Sequence, residues 1–362
     1  MVRRSALALA VVLLFGLAAK RANAQQSAGG TWNFSVSGDS RNCGDVVMPG
    51  IAETAKKNHV AFFWHLGDVR ATSKIDEDIL HQPEHLARPL TMEEYESTSW
   101  QDYIENQIKP FGDIPYFVGI GNHEVIAPAK SREGFLLQFA DWLGSPVLRA
   151  QRLKDAPDDH MLRTYYHWID RGVAFYFLDS ASGEQFDGNQ LAWFEKVLEQ
   201  DLSSPAITTI VVGMHKALPE SISAGHSMNE SPTGISSGRQ VYADLLRAQN
   251  DKHKYVYVLA SHSHYFMDGI FNTDYWRKNG GVLPGWIVGT AGAVRYALPP
   301  GASDAHGALV NVYGSLLATV HPGGEINFEF EQLAESDTPA SVTSRYGKEF
   351  VHWCFAENTQ VK

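Results

Sequence analysis

Seven segments of the chain share one pattern, in which a run of apolar, β-branched and aromatic residues ends in a small cluster of Gly, Asp, Asn, Ser or His. The segments are WNFSVSGD, HVAFFWHLGD, IPYFVGIGNHE, GVAFYFLDS, AITTIVVGMH, KYVYVLASHSH and GWIVGTAGA. Runs of this length and composition are typical of buried strands. The pattern therefore predicts strands that each present polar residues at the C-terminal end.

Helical patterns lie between these strands. Thr91 and Glu94 form a capping-box sequence for a helix that runs to Lys109, before Pro110, and Ser131 is a second N-cap candidate. Strands that alternate with helices predict an α/β fold whose ligands gather at the strand C-termini. The late segments ALVNVYGSLLATVHPGG and INFEFEQL predict consecutive strands, so the sheet is expected to end antiparallel.

The N-terminus has the features of a secretory signal over residues 1–24. A basic start, MVRR, precedes the apolar stretch ALALAVVLLFGLAA and the small-residue motif ANA, which predicts cleavage after Ala24. The alternative is an uncleaved membrane anchor, but Lys20 and Arg21 interrupt the apolar run before it reaches spanning length. We therefore expect a secreted or periplasmic protein with no stable membrane insertion after cleavage.

Domain organisation and charge follow from the remaining residues. We predict one domain over 25–335 and a loosely packed C-terminal tail over 336–362. The full chain has a net charge of −11, and loss of the four basic residues of the signal would make it −15. Such an acidic surface argues against nucleic-acid or anionic-membrane binding. An anionic substrate would need local cations to attract it.

The chain has two cysteines, Cys43 and Cys354, and no C-x-x-C spacing. This excludes both a disulfide scaffold and a thiolate zinc site. In an oxidising compartment the two residues could form a bridge between the first strand and the C-terminal tail. Two separate buried thiols are the equal alternative.

The strand ends together carry a set of N and O ligands for a metal. The set consists of Asp39, Asp68, Asn122, His123, His215, His262 and His264. Taken singly, each has an ordinary explanation as a turn residue, a helix cap or a hydrogen-bonded core histidine. On an extended backbone, however, His262 and His264 share one face and can reach the same pocket.

Five ordered motifs make the chain resemble the calcineurin-like metallophosphoesterase family. They are GD at 38–39, GD at 67–68, GNHE at 121–124, GMH at 213–215 and SHSH at 261–264. A His-x-His pair also occurs in amidohydrolase barrels, but there it lies on the first strand, whereas here it comes late. The GNHE motif with a downstream His-x-His is the specific part of the resemblance.

The resemblance implies a four-layer α/β/β/α sandwich, with two mixed central sheets flanked by helices and a two-metal site at the strand C-termini. It implies that Asp68 bridges two divalent ions (Mn, Fe, Zn or Co). Asp39 and His264 would bind the first ion, and Asn122, His215 and His262 the second. His123 would stand beside the site as a general acid or hydrogen-bond donor.

Arg41 departs from the family pattern, because many members have a histidine ligand at this position. Arginine stays protonated and has no lone pair to offer a metal. The tyrosine that replaces this ligand in purple acid phosphatases is also absent, since its position is Ala71. Either water or Asn42 completes the first site, Arg41 replaces the first ion, or Arg41 binds the substrate phosphate. A fourth alternative turns Arg41 outward to pair with Asp45.

These observations predict hydrolysis of a phosphoester, monoester or diester, by a metal-bound hydroxide, with His123 assisting the leaving group and Arg41 as a second catalytic candidate. We expect two ions, the first bound weakly or absent, and a small-molecule or exposed phosphoester substrate. The alternative is a noncatalytic phosphate or nucleotide binder in which Arg41 has replaced metal chemistry. His226 and Asn229, in the polar segment after His215, are candidates for substrate contacts. Arg295 and Tyr296 are expected to pack at the surface, with substrate binding as the alternative.

Overall fold

The structure is a computed structural model that describes residues 30–127, 130–182 and 186–360. Its strands form two mixed sheets. The first sheet has the order β12-β11-β1-β2-β3, with β1–β2–β3 parallel and β11 and β12 antiparallel at its edge. These strands are β1 Trp32–Ser37, β2 Phe63–His65, β3 Tyr116–Val118, β11 Tyr313–Val320 and β12 Ile326–Leu333.

The second sheet has the order β10-β8-β9-β7-β6-β5-β4. Strands β5, β6, β7 and β9 are parallel, and antiparallel strands close both edges. The strands are β4 Tyr166–Asp170, β5 Val173–Leu178, β6 Thr209–Met214, β7 Tyr255–Ala260, β8 Phe266–Asp268, β9 Gly285–Val288 and β10 Gly307–Leu309. All seven predicted strands are therefore confirmed, as is the antiparallel end of the first sheet.

Helices flank the two sheets. They are α1 Gly44–Lys57, α2 Glu77–Leu80, α3 Pro83–Ala87, α4 Met92–Tyr103, α5 Arg132–Gln138, α6 Ala140–Leu143, α7 Pro146–Asp155, α8 Gly188–Ser203, α9 Pro232–Asn250, α10 Asp274–Lys278, α11 Ala340–Tyr346 and α12 Lys348–Ala356. Helix α1 packs on β11 and β12 of the first sheet, and α9 packs on β7 of the second. The predicted capping box of Thr91 and Glu94 begins α4, and Ser131 caps α5.

An aromatic layer holds the two sheets together. Phe34 of β1 meets Phe175 of β5 edge to face, with ring centroids 5.2 Å apart. The ring centroids of Phe328 of β12 and Trp286 of β9 lie 4.3 Å apart. Each such side chain buries a large apolar area and prefers a defined ring geometry. This packing fixes the two sheets relative to each other, and hence the strand ends that carry the polar residues.

The C-terminal segment differs from the loosely packed tail that we expected over residues 336–362. Residues 340–356 form α11 and α12, and α11 packs on α1. A disulfide joins Cys43 to Cys354, which settles the alternative that the sequence left open. The segment is rich in Ser, Thr and charged residues, and this composition suggested loose packing. In the structure, however, Phe350, Val351 and Cys354 on one face of α12 are buried in the core.

The predicted signal, residues 1–24, lies outside the described residues, so its cleavage stays a prediction. Among the residues that the structure does describe, we find no helix with the length and apolar character needed to cross a bilayer.

Candidate metal centre

The C-terminal ends of five strands meet at one point between the two sheets. Strands β1, β2 and β3 lead to Asp39, Asp68 and Asn122, while β6 and β7 lead to His215 and His262. Backbone hydrogen bonds join the strand ends across the gap between the sheets: Gly38 N–H donates to Val288 O at 3.1 Å, and Ala291 N–H donates to Gly38 O at 3.0 Å. The sequence therefore predicted correctly that these residues share one location.

Several site residues have left-handed backbone conformations. The φ angles are 59° at Asp39, 59° at Asp68 and 64° at His262. Non-glycine residues rarely adopt this region, and such outliers concentrate at functional sites. Gly67, with φ of 98°, precedes Asp68, and a side chain there would come within 2.5 Å of the Gly121 nitrogen. The tight turns at the strand ends thus position the two carboxylates.

The Asp39 carboxylate is held from one side by the His-x-His segment. Its Oδ2 atom accepts hydrogen bonds from the Ser261 hydroxyl and from the His262 backbone N–H, the latter at 2.6 Å. Its Oδ1 atom lies 3.2 Å from Nε2 of His264. Burial alone would raise the pKa of Asp39, but His215 and His264 outweigh that effect and hold the pKa below its ordinary value.

Asp68 lies at the centre of the site. Its Oδ1 atom accepts a hydrogen bond from the His123 backbone N–H at 2.9 Å and lies 3.3 Å from Nε2 of His215. Its Oδ2 atom is buried and accepts no hydrogen bond from any described residue. A buried carboxylate oxygen without a partner is costly unless a cation approaches it. This oxygen therefore fits a metal ligand or an ion-pair partner of Arg41, whose Nε lies 3.8 Å away.

Three further ligand atoms converge beside Asp68. Nε2 of His215 lies 3.0 Å from Oδ1 of Asn122 and 3.0 Å from Nδ1 of His262. Ligand atoms of Asp68, His215 and His262 all lie within 4.8 Å of one another. His215 has its other ring nitrogen, Nδ1, 3.0 Å from Leu66 O, which fixes the direction in which Nε2 points. A carboxylate, an amide oxygen and two imidazoles fit one divalent ion such as Mn, Fe, Zn or Co.

The charges of this cluster depend on one another. Burial opposes charge on His215, but Asp68 and Asp39 raise the pKa of its imidazole to about 9. His262 is held neutral, because burial and then His215 lower its pKa well below the ordinary value. Because metal ligands must be deprotonated, binding of an ion here would release a proton from His215.

Arg41 turns inward to the residues that the family resemblance assigns to the first metal. Its Nη2 lies 3.1 Å from Nε2 of His264, and its Nη1 contacts Nε2 of His123. Nε of Arg41 lies 3.8 Å from Oδ2 of Asp68. Nδ1 of His264 lies 2.6 Å from Val294 O and serves as donor, so Nε2, which also lies 3.2 Å from Oδ1 of Asp39, is the ring nitrogen that the guanidinium contacts. The alternative in which Arg41 turns outward is wrong.

Asp45, the partner expected in that alternative, is bound elsewhere. It accepts a hydrogen bond from the buried Arg70, which is also paired with Asp78 and Asp102. Burial and then Asp45 raise the pKa of Asp78 well above its ordinary value. The sequence contained no sign of this group, because its members come from three helices and the irregular segment after β2.

The loop that carries Arg41 is fixed on both sides. Asn42, with φ of 74°, donates its backbone N–H to Oδ1 of Asp76 at 2.8 Å, and its side chain contacts Asn358. Cys43 is joined to Cys354 in α12. Arg41 therefore projects from a braced turn, which fixes the position of its backbone beside the site.

Two residues beside the site support its geometry. Glu124 accepts hydrogen bonds from the backbone N–H groups of Asp68, Val69 and Gly121 at 2.9, 3.0 and 2.7 Å, and thereby joins the second motif to the third. Burial and Asp68 raise the pKa of Glu124 to about 7. The Thr72 hydroxyl lies 3.1 Å from Nδ1 of His123. No sequence signal pointed to Thr72, which follows Asp68 in an irregular segment.

His226 and Tyr296, two of the candidate substrate contacts, lie against His262 and His264. The Tyr296 ring stacks on His264 with centroids 4.0 Å apart. The His226 ring lies 5.6 Å from Tyr296 and 5.5 Å from His262. Arg295, by contrast, is buried and donates hydrogen bonds to the carbonyl groups of Phe355 and Asn358.

Comparison with known proteins places this geometry in a wider group. A family model described as calcineurin-like phosphoesterase matches residues 46–266. Among solved structures, a purple acid phosphatase from yellow lupin (Lupinus luteus) seeds is similar over 84% of this chain and 52% of its own, with a TM-score of 0.55 and 14% identity. PhoD is similar over 84% of this chain and 72% of its own, with a TM-score of 0.51 and 14% identity. No curated protein sequence gives a significant match.

The two structural similarities concern the fold, and the chain spans about half the length of the lupin protein. They agree with the two mixed sheets flanked by helices described above. The family model covers more than half of the chain and contains four of the five motifs named above. The chain therefore belongs to the calcineurin-like phosphoesterase family.

Proposed function

We propose that the protein hydrolyses a phosphoester with one tightly held divalent ion and with Arg41 in the place of a second. The observation that carries the proposal is the contact of the Arg41 guanidinium with Nε2 of both His264 and His123. In the proposed site, Asp68, Asn122, His215 and His262 hold the ion. When bound, such an ion offsets the charge of the phosphate and acidifies an attacking water.

Arg41 supports this assignment by charge as well as by contact. The guanidinium contacts Nε2 of His264, the atom that would otherwise bind the first ion. A fixed positive charge about 5 Å from a divalent ion costs on the order of several kcal/mol even at intermediate dielectric. The sequence led us to expect two ions with a weak first one, and the contacts of Arg41 favour a single ion.

The same guanidinium can bind substrate. Its side chain is 16% exposed, so it reaches the solvent at the mouth of the site. Two carboxylates, one arginine and one divalent ion leave a net charge of about +1, which attracts a phosphate through the acidic surface. Arg41 would make a charge-assisted contact with a phosphate oxygen. It would then move from the histidines to the substrate without losing its own proton.

His123 is assigned to the leaving group. Its backbone is fixed by Asp68 and its ring lies between Thr72 and Arg41. Burial lowers the pKa of His123, and Arg41 lowers it further against the opposing effect of Asp68. An imidazole at this point can donate a hydrogen bond or a proton to a departing alkoxide.

We also propose that the protein works in an oxidising compartment outside the cytoplasm. The disulfide between Cys43 and Cys354 supports this location, because such bonds persist in secreted and periplasmic proteins and are rare in reducing compartments. Mass spectrometry of protein secreted by its native host, with and without reduction, tests both the bond and the predicted cleavage after Ala24.

The proposed function is tested by metal analysis of Arg41 variants. Wild-type protein, loaded with manganese or zinc and dialysed, is expected to retain one equivalent. Arg41→His supplies the histidine that many family members have at this position and is expected to retain two. Arg41→Gln removes the charge without supplying an imidazole; as the matched control it is expected to bind phosphate more weakly and to bind a second equivalent more weakly than Arg41→His does.

Activity is measured in parallel on a panel of phosphomonoesters and phosphodiesters. Two equivalents retained by the wild type would contradict the replacement of the first ion by Arg41. Background rates for every substrate with every metal, together with tight phosphate binding, would favour the noncatalytic binder. Circular dichroism of each variant shows that the fold is intact.

A further inference from the structure

A cleft of about 720 Å³ opens directly beside the candidate metal centre. One wall is the segment 222–226, which follows β6 and His215, and the other is the segment 296–300, which follows β9. His226 and Tyr296 contribute to both the cleft and the surroundings of the ligand histidines. A group esterified to a phosphate at Arg41 would therefore extend into this cleft.

The first wall is anchored to the metal-binding segment itself. The buried Ser223 shares a hydrogen bond of 2.7 Å with the Ser263 hydroxyl and one of 2.6 Å with the Tyr265 hydroxyl. Ser263 lies between His262 and His264 in the sequence. Ile222 N–H also donates to Ile270 O at 2.7 Å. The wall is thus a built surface with a fixed position relative to the site.

The chemistry of the cleft is neutral and partly aromatic. Its lining combines apolar residues, such as Ile222 and Pro299, with the rings of His226 and Tyr296 and the polar side chains of Ser223 and Gln360. Among the described residues that line it, none carries a carboxylate, an ammonium or a guanidinium group. Its volume lies within the range of about 300–1,000 Å³ that is typical of small-molecule sites.

We propose that this cleft binds the leaving group of the substrate and selects an uncharged leaving group that carries a flat ring system, such as a nucleoside or an aryl alcohol. The inference rests on the proposed function, which places the phosphate at Arg41. The exposed His226 and the half-buried Tyr296 offer ring faces on which a flat group can stack. A charged leaving group would lose its hydration in the cleft without gaining a partner of opposite charge.

Matched substrate pairs test the proposal. AMP and ribose 5-phosphate have the same leaving oxygen and differ only in the base. 2-Naphthyl phosphate and phenyl phosphate have leaving groups of similar acidity and differ in ring size. We expect kcat/KM for the larger ring to be higher by roughly tenfold to a hundredfold, the range of stacking on aromatic side chains. The pair with the larger ratio distinguishes a nucleoside site from an aryl site.

A histidine variant locates the effect. His226→Ala is expected to reduce the ratio for the better pair to less than about threefold, because one stacking face is lost. His321→Ala is the matched control. His321 lies in the turn between β11 and β12, next to Val320, which pairs with Trp32 at the start of β1. It is therefore at the opposite end of the sheet from Asp39, and its substitution is expected to leave the ratio unchanged.

The outcomes separate the inference from the proposed function. Equal kcat/KM values within each pair would overturn the cleft assignment and leave phosphoester hydrolysis intact. Absence of hydrolysis for all four substrates and for the phosphodiesters of the panel would overturn the proposed function. In that case saturation-transfer NMR with adenosine and with 2-naphthol tests the cleft assignment separately. Binding to the wild type that is lost in His226→Ala supports the assignment, and absence of binding to the wild type overturns it.

Discussion

The disulfide between Cys43 and Cys354 closes a loop of 311 residues and joins the Arg41 turn to α12. Replacement of both cysteines by alanine removes the bond without leaving a free thiol. In the chain-entropy model, a bond that closes a loop of this length raises the free energy of the unfolded chain by about 5–6 kcal/mol. Measured losses of unfolding free energy on removing a native disulfide are typically about 2–5 kcal/mol. We therefore expect the double variant to lose about 2–5 kcal/mol of unfolding free energy.

Urea denaturation followed by tryptophan fluorescence measures this loss, since the free energy of unfolding falls linearly with denaturant. Wild-type protein in reducing agent, with thiol titration to show that the bond has opened, should match the double variant. Activity is measured in the same variant at urea concentrations where it is fully folded. We expect activity to fall as well, because Arg41 lies two residues from Cys43.

Two results would refute this reasoning. A difference in unfolding free energy below about 1 kcal/mol would mean that the bond adds little to the hydrogen bonds of Asn42 with Asp76 and Asn358. Full activity in the folded double variant would mean that those hydrogen bonds alone keep Arg41 in place. The first result concerns stability and the second concerns the site, so each can fail without the other.

Two further predictions concern histidines. His123→Ala should lower kcat/KM for an alkyl phosphate by about 10²–10⁴-fold and that for 4-nitrophenyl phosphate far less, because 4-nitrophenolate departs without a proton; equal losses for both substrates would exclude the leaving-group role. Burial opposes charge on His167, but the hydrogen bond with Asp155 and the nearby Asp201 carboxylate outweigh it and raise its pKa above 6.5. The stability that protonated His167 contributes is complete below its unfolded pKa of about 6.5 and is lost as the pH rises through the higher folded value. Urea denaturation between pH 5.5 and 9 should show wild-type stability falling with pH over that range, and His167→Gln should flatten the fall and cost on the order of 3 kcal/mol at low pH. An unchanged pH profile in the variant would show that another group is responsible.

Much of the fold was predictable because it depends on short patterns. Each strand that leads to the site is predicted by a run of apolar residues that ends in a polar residue. Strand β1 ends before Asp39, and β7 ends before His262. The Thr91 capping box is equally local. Since parallel strands place their C-terminal ends at one edge, the convergence of these residues follows from the strand assignment itself.

The features that the sequence did not predict depend on contacts between segments that are distant in the chain. The pairing of Cys43 with Cys354 and the packing of α12 cannot be deduced from spacing, because 311 residues separate the two cysteines. The direction of Arg41 depends on His123 and His264 arriving from two other strands. The carboxylates around Arg70 are invisible for the same reason. A sequence shows which groups a chain carries, but which of them neutralise one another is decided by tertiary structure.

The hydrogen bond between Ser223 and Ser263 has a consequence for engineering and divergence. Exchange of the 216–231 segment is the obvious way to graft a new specificity onto this scaffold, since surface loops usually tolerate replacement. Here the same segment supports the residue between His262 and His264. A graft that omits the serine would therefore shift the proposed ion and the substrate together. Tyr296 on the other wall also contacts His264, so new specificities should arise most readily at residues 297–300.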